Sequence, residues 1–284
     1  MAQIVGGFLV PHDPLMFAAA GAAPAEVHAG VFDAYAEVSR RLQDLDADAV
    51  VVFGTDHYIL FGPGCLPQAL VAIGELDGPI DRMPGLDRQV IPHHPELAEH
   101  ILRHVLANDF DLACAKVLTV DHSVAIPHQL IVAPARADLP VIPFYLACGV
   151  DPVIPMRRAA RLGQLLRQAV EAWPGDARVV VIGSGGISHS VGEADMGRIN
   201  SAFDEMVLDH AQRGDVDGLC ALPDETVLRE GGNGALEIRN FVAALSAVPG
   251  AHGEVIAYHP VPAWITGLGF VQIHATPAPV EVAA

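Results

Sequence analysis

The sequence predicts a single layered α/β domain whose central, mostly buried sheet is flanked by helices. Short apolar or β-branched runs alternate along the chain with longer stretches of helical periodicity, which is the pattern of such a domain. The chain has 284 residues, of which 51% are hydrophobic and only 18% are charged, so it can build a sizeable core. No repeat or shift in composition marks a second domain. We therefore expect one domain over residues 1–275 and a flexible C-terminal tail over residues 276–284.

Six runs are predicted to be buried strands because they are short, apolar and rich in β-branched residues. In chain order they are Gln3–Val10, Ala49–Gly54, Ala113–Val120, Val141–Ala147, Arg178–Gly183 and Glu254–Tyr258. Five other stretches repeat their apolar residues with the period of a helix. They are Ala25–Leu45, Pro95–Ala107, Pro155–Glu171, Ile199–Gln212 and Gly234–Ala247. These patterns leave the order and the sense of the strands in the sheet open.

Charge and composition exclude several classes of function. The chain carries 34 acidic and 16 basic residues, whereas proteins that bind nucleic acid or anionic membranes need a cationic surface. Its apolar runs are shorter than the roughly 20 residues that span a bilayer. The N-terminal segment lacks the basic region and cleavage site of a signal peptide, and the four cysteines form no C-x-x-C pair. We expect a cytoplasmic protein that binds neither nucleic acid nor membrane.

Four predicted strands are each followed within a few residues by a histidine. His12 follows the first strand, His57 the second and His122 the third, and His189 follows the strand that ends at Gly183. In α/β folds the carboxyl ends of strands border the crevice in which ligands bind. A single loop histidine is more often a solvated surface group than a ligand. Four histidines at equivalent positions favour a shared site at this edge of the sheet.

A carboxylate is predicted to reach the same site from a helix. Residues 241, 244, 245 and 248, one or two turns after Glu237, are all apolar. Glu237 should therefore lie on the buried stripe of this helix, whereas Arg239 and Asn240 should lie off it. A buried carboxylate needs a cation or strong donors, and either a structural salt bridge or a metal ion would supply them. The glycines among residues 231–234 would let the backbone approach such a site closely.

Two histidines and one carboxylate, here His12, His57 and Glu237, form the facial triad of non-haem iron(II) oxygenases. The same ligands also suit a hydrolytic zinc ion, so a zinc-dependent hydrolase is the enzymatic alternative. The surplus of histidines favours the oxygenase, because ring cleavage needs proton transfers at neutral pH beside the metal. A scaffold that has lost its metal and binds a partner through the same cleft is the non-enzymatic alternative. The glycines before His189 match no nucleotide-binding fingerprint and instead allow a tight turn.

The ordered set of segments resembles the class III extradiol ring-cleavage dioxygenases, the LigB-type superfamily. The matching segments begin at His12 and continue as AVVVFGTDHY (49–58), VDH (120–122), GSGGISH (183–189), Glu237 with its helix, and YHPVPAWITGLG (258–269). The resemblance covers essentially the whole chain. Within the family it is greatest to the 2,3-dihydroxyphenylpropionate 1,2-dioxygenases, and the catalytic subunit of protocatechuate 4,5-dioxygenase is a more distant relative.

The resemblance implies an Fe(II) enzyme that inserts both atoms of O₂ into a catechol-type substrate and opens the ring beside its hydroxyls. It implies that His12, His57 and Glu237 bind the iron. It also implies that His189 deprotonates the catechol and that His122 donates a proton during cleavage of the C–C bond. The family usually forms homo-oligomers, and a small helper subunit is a further candidate partner.

A second group of residues is expected to line the substrate pocket, because these residues are aromatic or flank prolines near the candidate loops. This group comprises Tyr58, His128, Tyr258, His259 and Trp264. Two positions depart from the family pattern. The first ligand lies in Pro-His-Asp-Pro, where Ser-His-Ser-Pro or Ser-His-Val-Pro is more usual. His259 stands where an arginine is expected in the dihydroxyphenylpropionate enzymes.

Overall fold

Nine strands form one mixed sheet in the computed structural model, which describes residues 1–276. The predicted tail therefore lies, from residue 277 onward, outside the described residues. The predicted α/β class is confirmed, and three strands had not been predicted. The strands are β1 (Gln3–Val10), β2 (Ala49–Thr55), β3 (Ala69–Gly78), β4 (Gln89–Val90), β5 (Ala113–Thr119), β6 (Val141–Leu146), β7 (Arg178–Ser184), β8 (His252–Val261) and β9 (Thr266–His274).

Helices cover both faces of this sheet. The α-helices are α1 (Leu15–Ala18), α2 (Ala25–Asp44), α3 (Pro95–Ala107), α4 (His122–Pro127), α5 (Ala133–Ala135), α6 (Met156–Glu171), α7 (Ser201–Arg213), α8 (Val216–Cys220), α9 (Asp224–Gly231) and α10 (Ile238–Ala247). Shorter 3₁₀ turns span Ala20–Ala22, Gly234–Glu237 and Pro262–Trp264, and a π-helical turn spans His128–Val132. No helix within residues 1–276 combines the length and the apolar character that a membrane span requires.

The strand order places three predicted histidine loops at one edge of the sheet. The order is β4-β3-β6-β2-β7-β1-β9-β8, with β5 paired to β3. Strands β1, β7, β2 and β6 are mutually parallel, so their carboxyl ends lie at the same edge. Val10 pairs with Ser184, and Phe53 pairs with Gly183. The loops that carry His12, His57 and His189 therefore leave the sheet side by side.

Strand β5 does not follow this common direction. It runs parallel to β3, and β3 is antiparallel to β6, so β5 runs against the central strands. The β3–β5 register shifts between Ala72 and Glu75, an irregularity of the kind that bends strands. The prediction that Ala113–Val120 is a buried strand is wrong for most of its residues, because β5 has β3 as its only described partner and is largely exposed. His122 nevertheless follows this strand directly.

The core lies in two layers, one on each face of the sheet. Alternate residues of β2 illustrate the division, because Val51 and Phe53 pack into one layer and Val50 and Val52 pack into the other. The first layer includes the buried faces of α3, α6, α7 and α10. The second layer includes the apolar stripe of α2 and residues 124–126 of α4. Both faces of the central strands are therefore shielded from water, as their continuous apolar sequences predict.

Helix α10 is buried on all sides. It packs against α6 on one side and against β7 on the other, and all ten of its residues are buried. The prediction that Arg239 and Asn240 lie off the buried face is wrong, because a helix between two layers has no solvent-facing side. The Arg239 side chain donates to the carbonyls of Ile154 and Leu236 and to the carboxylate of Asp224. Its charge is thereby compensated inside the protein.

A close contact between α6 and α10 gives a test of this packing. A Cβ at Gly163 would collide with the backbone carbonyl of Ala243. Gly163→Ala should therefore lower the free energy of unfolding by about 1–3 kcal/mol, despite the better helix propensity of alanine. Urea denaturation measures this change. Gly21→Ala is the control, because no atom lies within 4 Å of the added Cβ, and an equal loss in both variants would contradict the packing argument.

Candidate metal centre

Three donor atoms converge beyond the carboxyl edge of the central strands. His12 Nε2 lies 3.3 Å from His57 Nε2, and Glu237 Oε1 lies 3.2 Å from the former and 3.1 Å from the latter. Ligand atoms about 2.1 Å from one ion are about 3.0 Å apart at right angles and about 3.4 Å apart at tetrahedral angles. The three edges of this triangle therefore fit a metal ion bound by all three side chains.

Hydrogen bonds at the second ring nitrogens orient both histidines. His12 Nδ1 lies 2.9 Å from the hydroxyl of Ser184, which donates its own proton to the Ser123 carbonyl and so accepts from the ring. His57 Nδ1 lies 2.9 Å from Asp121 Oδ2 and donates to this carboxylate. When the rings are neutral, a proton on each Nδ1 leaves each Nε2 with a free lone pair. Both lone pairs are directed at the triangle.

Asp121 is a fully buried carboxylate that also accepts hydrogen bonds from Ser123 and Tyr145. Burial opposes its ionisation, but its hydrogen bond and charge interaction with His57 outweigh burial and hold the pKa of Asp121 below its usual range. Burial likewise lowers the pKa of His57, but the carboxylates of Asp121 and Glu237 outweigh it and raise this pKa to about 10. The negative charge of these carboxylates thus favours a positive charge at His57, and a bound metal ion would also supply a positive charge there.

Glu237 lies at the end of the 3₁₀ turn that precedes α10, with only 2% of its surface exposed. Its second oxygen accepts the Gly186 N–H at 3.0 Å. No arginine or lysine of residues 1–276 forms an ion pair with it, and its partners are histidines. Burial opposes its ionisation, but His12 and His57 outweigh burial and hold the pKa of Glu237 well below its usual range. A structural salt bridge therefore does not explain this carboxylate, and the donor set fits a metal ion.

His122 is adjacent to the triangle and offers a second ligand set. Its ring stacks on His57 with centroids 4.1 Å apart and planes 28° apart, and its nitrogen lies within 4.8 Å of those of His12 and His57. Imidazole lone pairs lie in the ring plane, so two nearly parallel rings do not direct them at one point. Glu237 therefore completes the triangle better than His122 does.

His122 is held by Asp81, a residue that the sequence analysis missed. The backbone N–H of His122 donates to Asp81 Oδ2 at 2.8 Å. The same oxygen lies 3.2 Å from His122 Nδ1, within ion-pair distance although not aligned for a hydrogen bond. Asp81 follows β3 as the histidines follow their strands, so the rule that found the histidines would have found Asp81 had β3 been predicted. Asp121, also missed, directly precedes His122 in the sequence.

His189 lies on the other side of Glu237, with its Nε2 3.7 Å from Glu237 Oε2. Its Nδ1 lies 3.3 Å from the Ile187 carbonyl, an acceptor, so Nδ1 carries the proton and Nε2 is free to accept one. Burial lowers the pKa of His189. A Cβ at Gly234 would overlap the His189 ring, which shows the close backbone approach that the glycines before Glu237 predict.

Two of the predicted substrate residues lie in the protein interior, and one is exposed. Trp264 is fully buried, and its Nε1 donates to the Ala19 carbonyl at 3.1 Å. His128 is buried at the start of the π-helical turn, with Nδ1 3.5 Å from Gln89 Nε2. Tyr58 is 47% exposed directly after His57 and has a φ of 64°. Substrate contact stays a prediction for all three.

The remaining two substrate residues, Tyr258 and His259, point to opposite sides of β8. The Tyr258 hydroxyl donates to the buried carboxylate of Asp204 at 2.7 Å. The His259 ring packs against Gly30 of α2, since a Cβ there would lie 3.1 Å from His259 Cε1. Asp204 also accepts the backbone N–H of Ser188, the residue before His189. Tyr258 thus touches the support of His189, and its contact with substrate stays a prediction, as does that of His259.

Comparison with known proteins identifies the family. A family model described as the catalytic LigB subunit of aromatic ring-opening dioxygenase matches residues 6–269. The chain belongs to this family. It is therefore an extradiol ring-cleavage dioxygenase, which confirms the predicted enzyme class and decides between the oxygenase and the hydrolase. Enzymes of the LigB family depend on a metal, and the cluster that contains His12, His57 and His122 could hold one in this dioxygenase.

Relatives of this chain include proteins named 2,3-dihydroxyphenylpropionate/2,3-dihydroxicinnamic acid 1,2-dioxygenase. The protein of Cupriavidus necator is 27% identical over 90% of this chain and 93% of its own length. The protein of Mycobacterium ulcerans strain Agy99 is 28% identical over 89% of this chain and 92% of its own. A crystal structure of an uncharacterized protein from Escherichia coli K12 shares the fold, with a TM-score of 0.53 and 16% identity over 82% of this dioxygenase and 91% of that chain.

The contact between Asp121 and His57 gives a test of the metal centre. Asp121→Asn should weaken metal binding by about 10–100-fold, because the ring loses the charged acceptor that orients it. Competition with a metal chelator measures the dissociation constant. Asp215→Asn is the matched control, since Asp215 also accepts from a histidine, His210, at 2.8 Å and lies between α7 and α8. Equal affinity in the Asp121 variant and the wild type would contradict the assignment.

Proposed function

We propose that this dioxygenase uses iron(II), bound by His12, His57 and Glu237, to open a catecholic ring beside its two hydroxyls with both atoms of O₂. The observation that carries the proposal is the triangle of donor atoms with edges of 3.1–3.3 Å. Two imidazoles and one carboxylate on one face of an ion leave the opposite positions for substrate and O₂. The family match supports oxygen chemistry at these ligands.

The residues around the ligands prepare them before any metal binds. Ser184 and Asp121 fix the protonated side of the two rings, and Gly186 fixes the second oxygen of Glu237. The ligand atoms therefore face one point without reorganisation, which favours tight and specific binding. When bound, the iron supplies Lewis acidity to the catechol hydroxyls and a common binding position for the ring and O₂.

His189 is proposed as the base that takes a proton from the bound catechol. Its Nδ1 proton is engaged by the Ile187 carbonyl, so Nε2 is the acceptor and faces the triangle from beside Glu237. The hydrogen bonds of Asp204 to Ser188 hold the loop that carries His189. The base is thereby positioned by buried contacts rather than by an exposed loop.

His122 is proposed as the acid that gives a proton during ring opening. It stacks on His57, whereas His189 lies beside Glu237. The Asp81 carboxylate lies 3.2 Å from His122 Nδ1, within ion-pair distance, and so helps to hold this ring in place. With the base beside Glu237 and the acid beside His57, a proton could leave the substrate at one histidine and return from the other.

The catechol and O₂ are the proposed small-molecule partners, and we propose that the enzyme is a cytoplasmic homo-oligomer. The four cysteines are unpaired, as is usual in a reducing compartment. Exposed Val90 and Val117 lie on the edge strands β4 and β5, where association of subunits would cover them. A small helper subunit stays a candidate partner.

Alanine variants separate ligands from acid and base. His12→Ala, His57→Ala and Glu237→Ala should each lose stoichiometric iron, because two remaining ligands bind the ion weakly. His189→Ala and His122→Ala should keep their iron but lower kcat by about 10²–10⁴-fold, the usual contribution of a positioned acid or base. Metal analysis and an oxygen electrode measure the two effects. His252→Ala, on the exposed end of β8, is the control; an iron-loaded His189→Ala protein with normal turnover would overturn the assignment.

The identity of the metal and the reaction have their own test. Iron(II) is first loaded into the protein in the absence of air. When O₂ is then admitted, the protein should consume one O₂ for each catechol and form a yellow ring-opened product, since both oxygen atoms enter this product. The same protein loaded with zinc should bind the catechol without consuming O₂, because zinc has no redox chemistry. Turnover with zinc, or without O₂, would contradict the proposal.

A further inference from the structure

Asp13, directly after His12, has a buried oxygen with no partner. Only 5% of the residue is exposed, and its Oδ1 accepts the Leu15 N–H at 2.8 Å. Its Oδ2 has no hydrogen-bond donor among residues 1–276. The nearest candidate is the Thr266 hydroxyl, which donates its single proton to the Trp264 carbonyl at 3.0 Å instead. One oxygen of this carboxyl group is therefore left for a donor from outside the chain.

An unsatisfied buried carboxyl oxygen is costly to keep. Such a group opposes folding by about 1–3 kcal/mol, and more if it is charged, unless something donates to it. No arginine or lysine of the described chain forms an ion pair with Asp13. Its side chain is also too buried for bulk water to donate to the unpaired oxygen. The unpaired oxygen does not stabilise the fold, which points to a role in binding.

The surroundings of Asp13 connect this residue to the proposed reaction site. Thr266, the hydroxyl nearest to it, pairs with His189 through an isolated β-bridge. The Thr266 methyl group lies 2.7 Å from the position that a Cβ on Gly186 would occupy, and Gly186 donates to Glu237. Asp13 thus follows the proposed ligand His12 in the sequence, and Thr266 connects it to the segment that carries the proposed base His189.

The charge of the site favours a substrate whose ring substituent is not an anion. Four carboxyl groups, those of Asp13, Asp81, Asp121 and Glu237, lie at or next to the metal centre. The three that form ion pairs within residues 1–276 pair with histidines alone. Among residues 1–276, no arginine or lysine forms an ion pair with these carboxyl groups, so none is held there to receive a substrate carboxylate. A hydrogen-bond donor on the ring would find an acceptor in the unpaired oxygen of Asp13, whereas a substrate carboxylate has no proton to donate.

We propose that Asp13 Oδ2 accepts a hydrogen bond from a proton-bearing substituent, a hydroxyl or an amino group, on the ring of the bound catechol. Asp13 is then a specificity-determining residue, and the substrate belongs to the hydroxylated or aminated catechols. The inference rests on the proposed function, since the ring must first be bound at the triangle. It sets this chain apart from the relatives named for a dihydroxyphenylpropionate, whose substrate carries a carboxylate.

The test compares four probes: catechol, pyrogallol, an aminocatechol and 2,3-dihydroxyphenylpropionate. Each is titrated into iron(II)-loaded protein without air to obtain Kd, and is then assayed with O₂ to obtain kcat/KM. The wild type should favour pyrogallol or the aminocatechol over catechol by about tenfold or more in both quantities, as expected for a hydrogen bond to a buried acceptor. The relative strength of these two probes shows whether the hydroxyl or the amino group is the substituent.

Asp13→Asn is the decisive variant, because its amide oxygen can keep the hydrogen bond from Leu15 while an NH₂ group replaces Oδ2. The ratio of Kd values between catechol and the preferred probe should fall about tenfold, with iron content unchanged. Asp13→Ser, which restores the residue more usual in the family, should lose the same preference and serves if the asparagine variant does not fold. Asp33→Asn, on the exposed side of α2, is the matched control and should keep the wild-type ratio.

Two results would overturn the inference. In the first, the Kd of catechol is divided by the Kd of pyrogallol and by the Kd of the aminocatechol, and both ratios stay within about threefold of the wild type in both Asp13 variants. The other is a wild-type protein that binds 2,3-dihydroxyphenylpropionate more tightly than either donor-bearing probe. Failure of the proposed function looks different, because no probe would then be cleaved by the iron-loaded wild type. The anaerobic Kd ratios still report on Asp13 in that case.

Discussion

A buried carboxylate that has no arginine or lysine partner among residues 1–276 is the constraint on which the rest of the site depends. Glu237 is enclosed between the sheet and helix α10, and the nearest arginine in sequence, Arg239, is turned away to Asp224 and two carbonyls. Its compensation comes from imidazoles, and a metal ion bound between them would add to it. The parallel strands β1 and β2 meet this need, because their carboxyl ends deliver His12 and His57 to the same oxygen.

The layer beneath the ligands explains why these rings stay in place. Asn240 donates both to the Thr55 hydroxyl and to the Ser184 carbonyl, and so ties the ends of β2 and β7 together inside the protein. Ser184 in turn links His12 to the Ser123 carbonyl at the start of α4. The groups that orient the ligands thus belong to strands and buried helices. Preorganisation of this kind needs little adjustment when a metal or substrate binds.

The sequence predicted those parts of the fold and site that depend on local pattern. Strand β1 and helix α3 have the predicted bounds, and three of the four histidine loops leave the same edge of the sheet. Strand β3 was missed because glycine and acidic residues interrupt its apolar run, and Asp81 was missed with it. The direction of β5 and the burial of Arg239 depend on partners distant in the chain, which periodicity does not reveal. Asp13 was seen as an unusual neighbour of His12, but its unpaired oxygen appears only in three dimensions.

The candidate metal centre has one wall formed by the main chain of glycines and another that includes side chains, and the two walls differ in how easily substitutions can alter their shape. On the side of Glu237 and His189 the wall is main chain, because side chains at Gly186 and Gly234 would intrude on Thr266 and His189. A wall without side chains has no rotamers to vary, so its shape is inherited with the backbone. On the side of His12 the next residue, Asp13, contributes a buried side chain, and a side chain can be exchanged without a change of the backbone. Divergence of substrate preference among enzymes built on this plan would then concentrate on the second side, while the chemistry stays with the first.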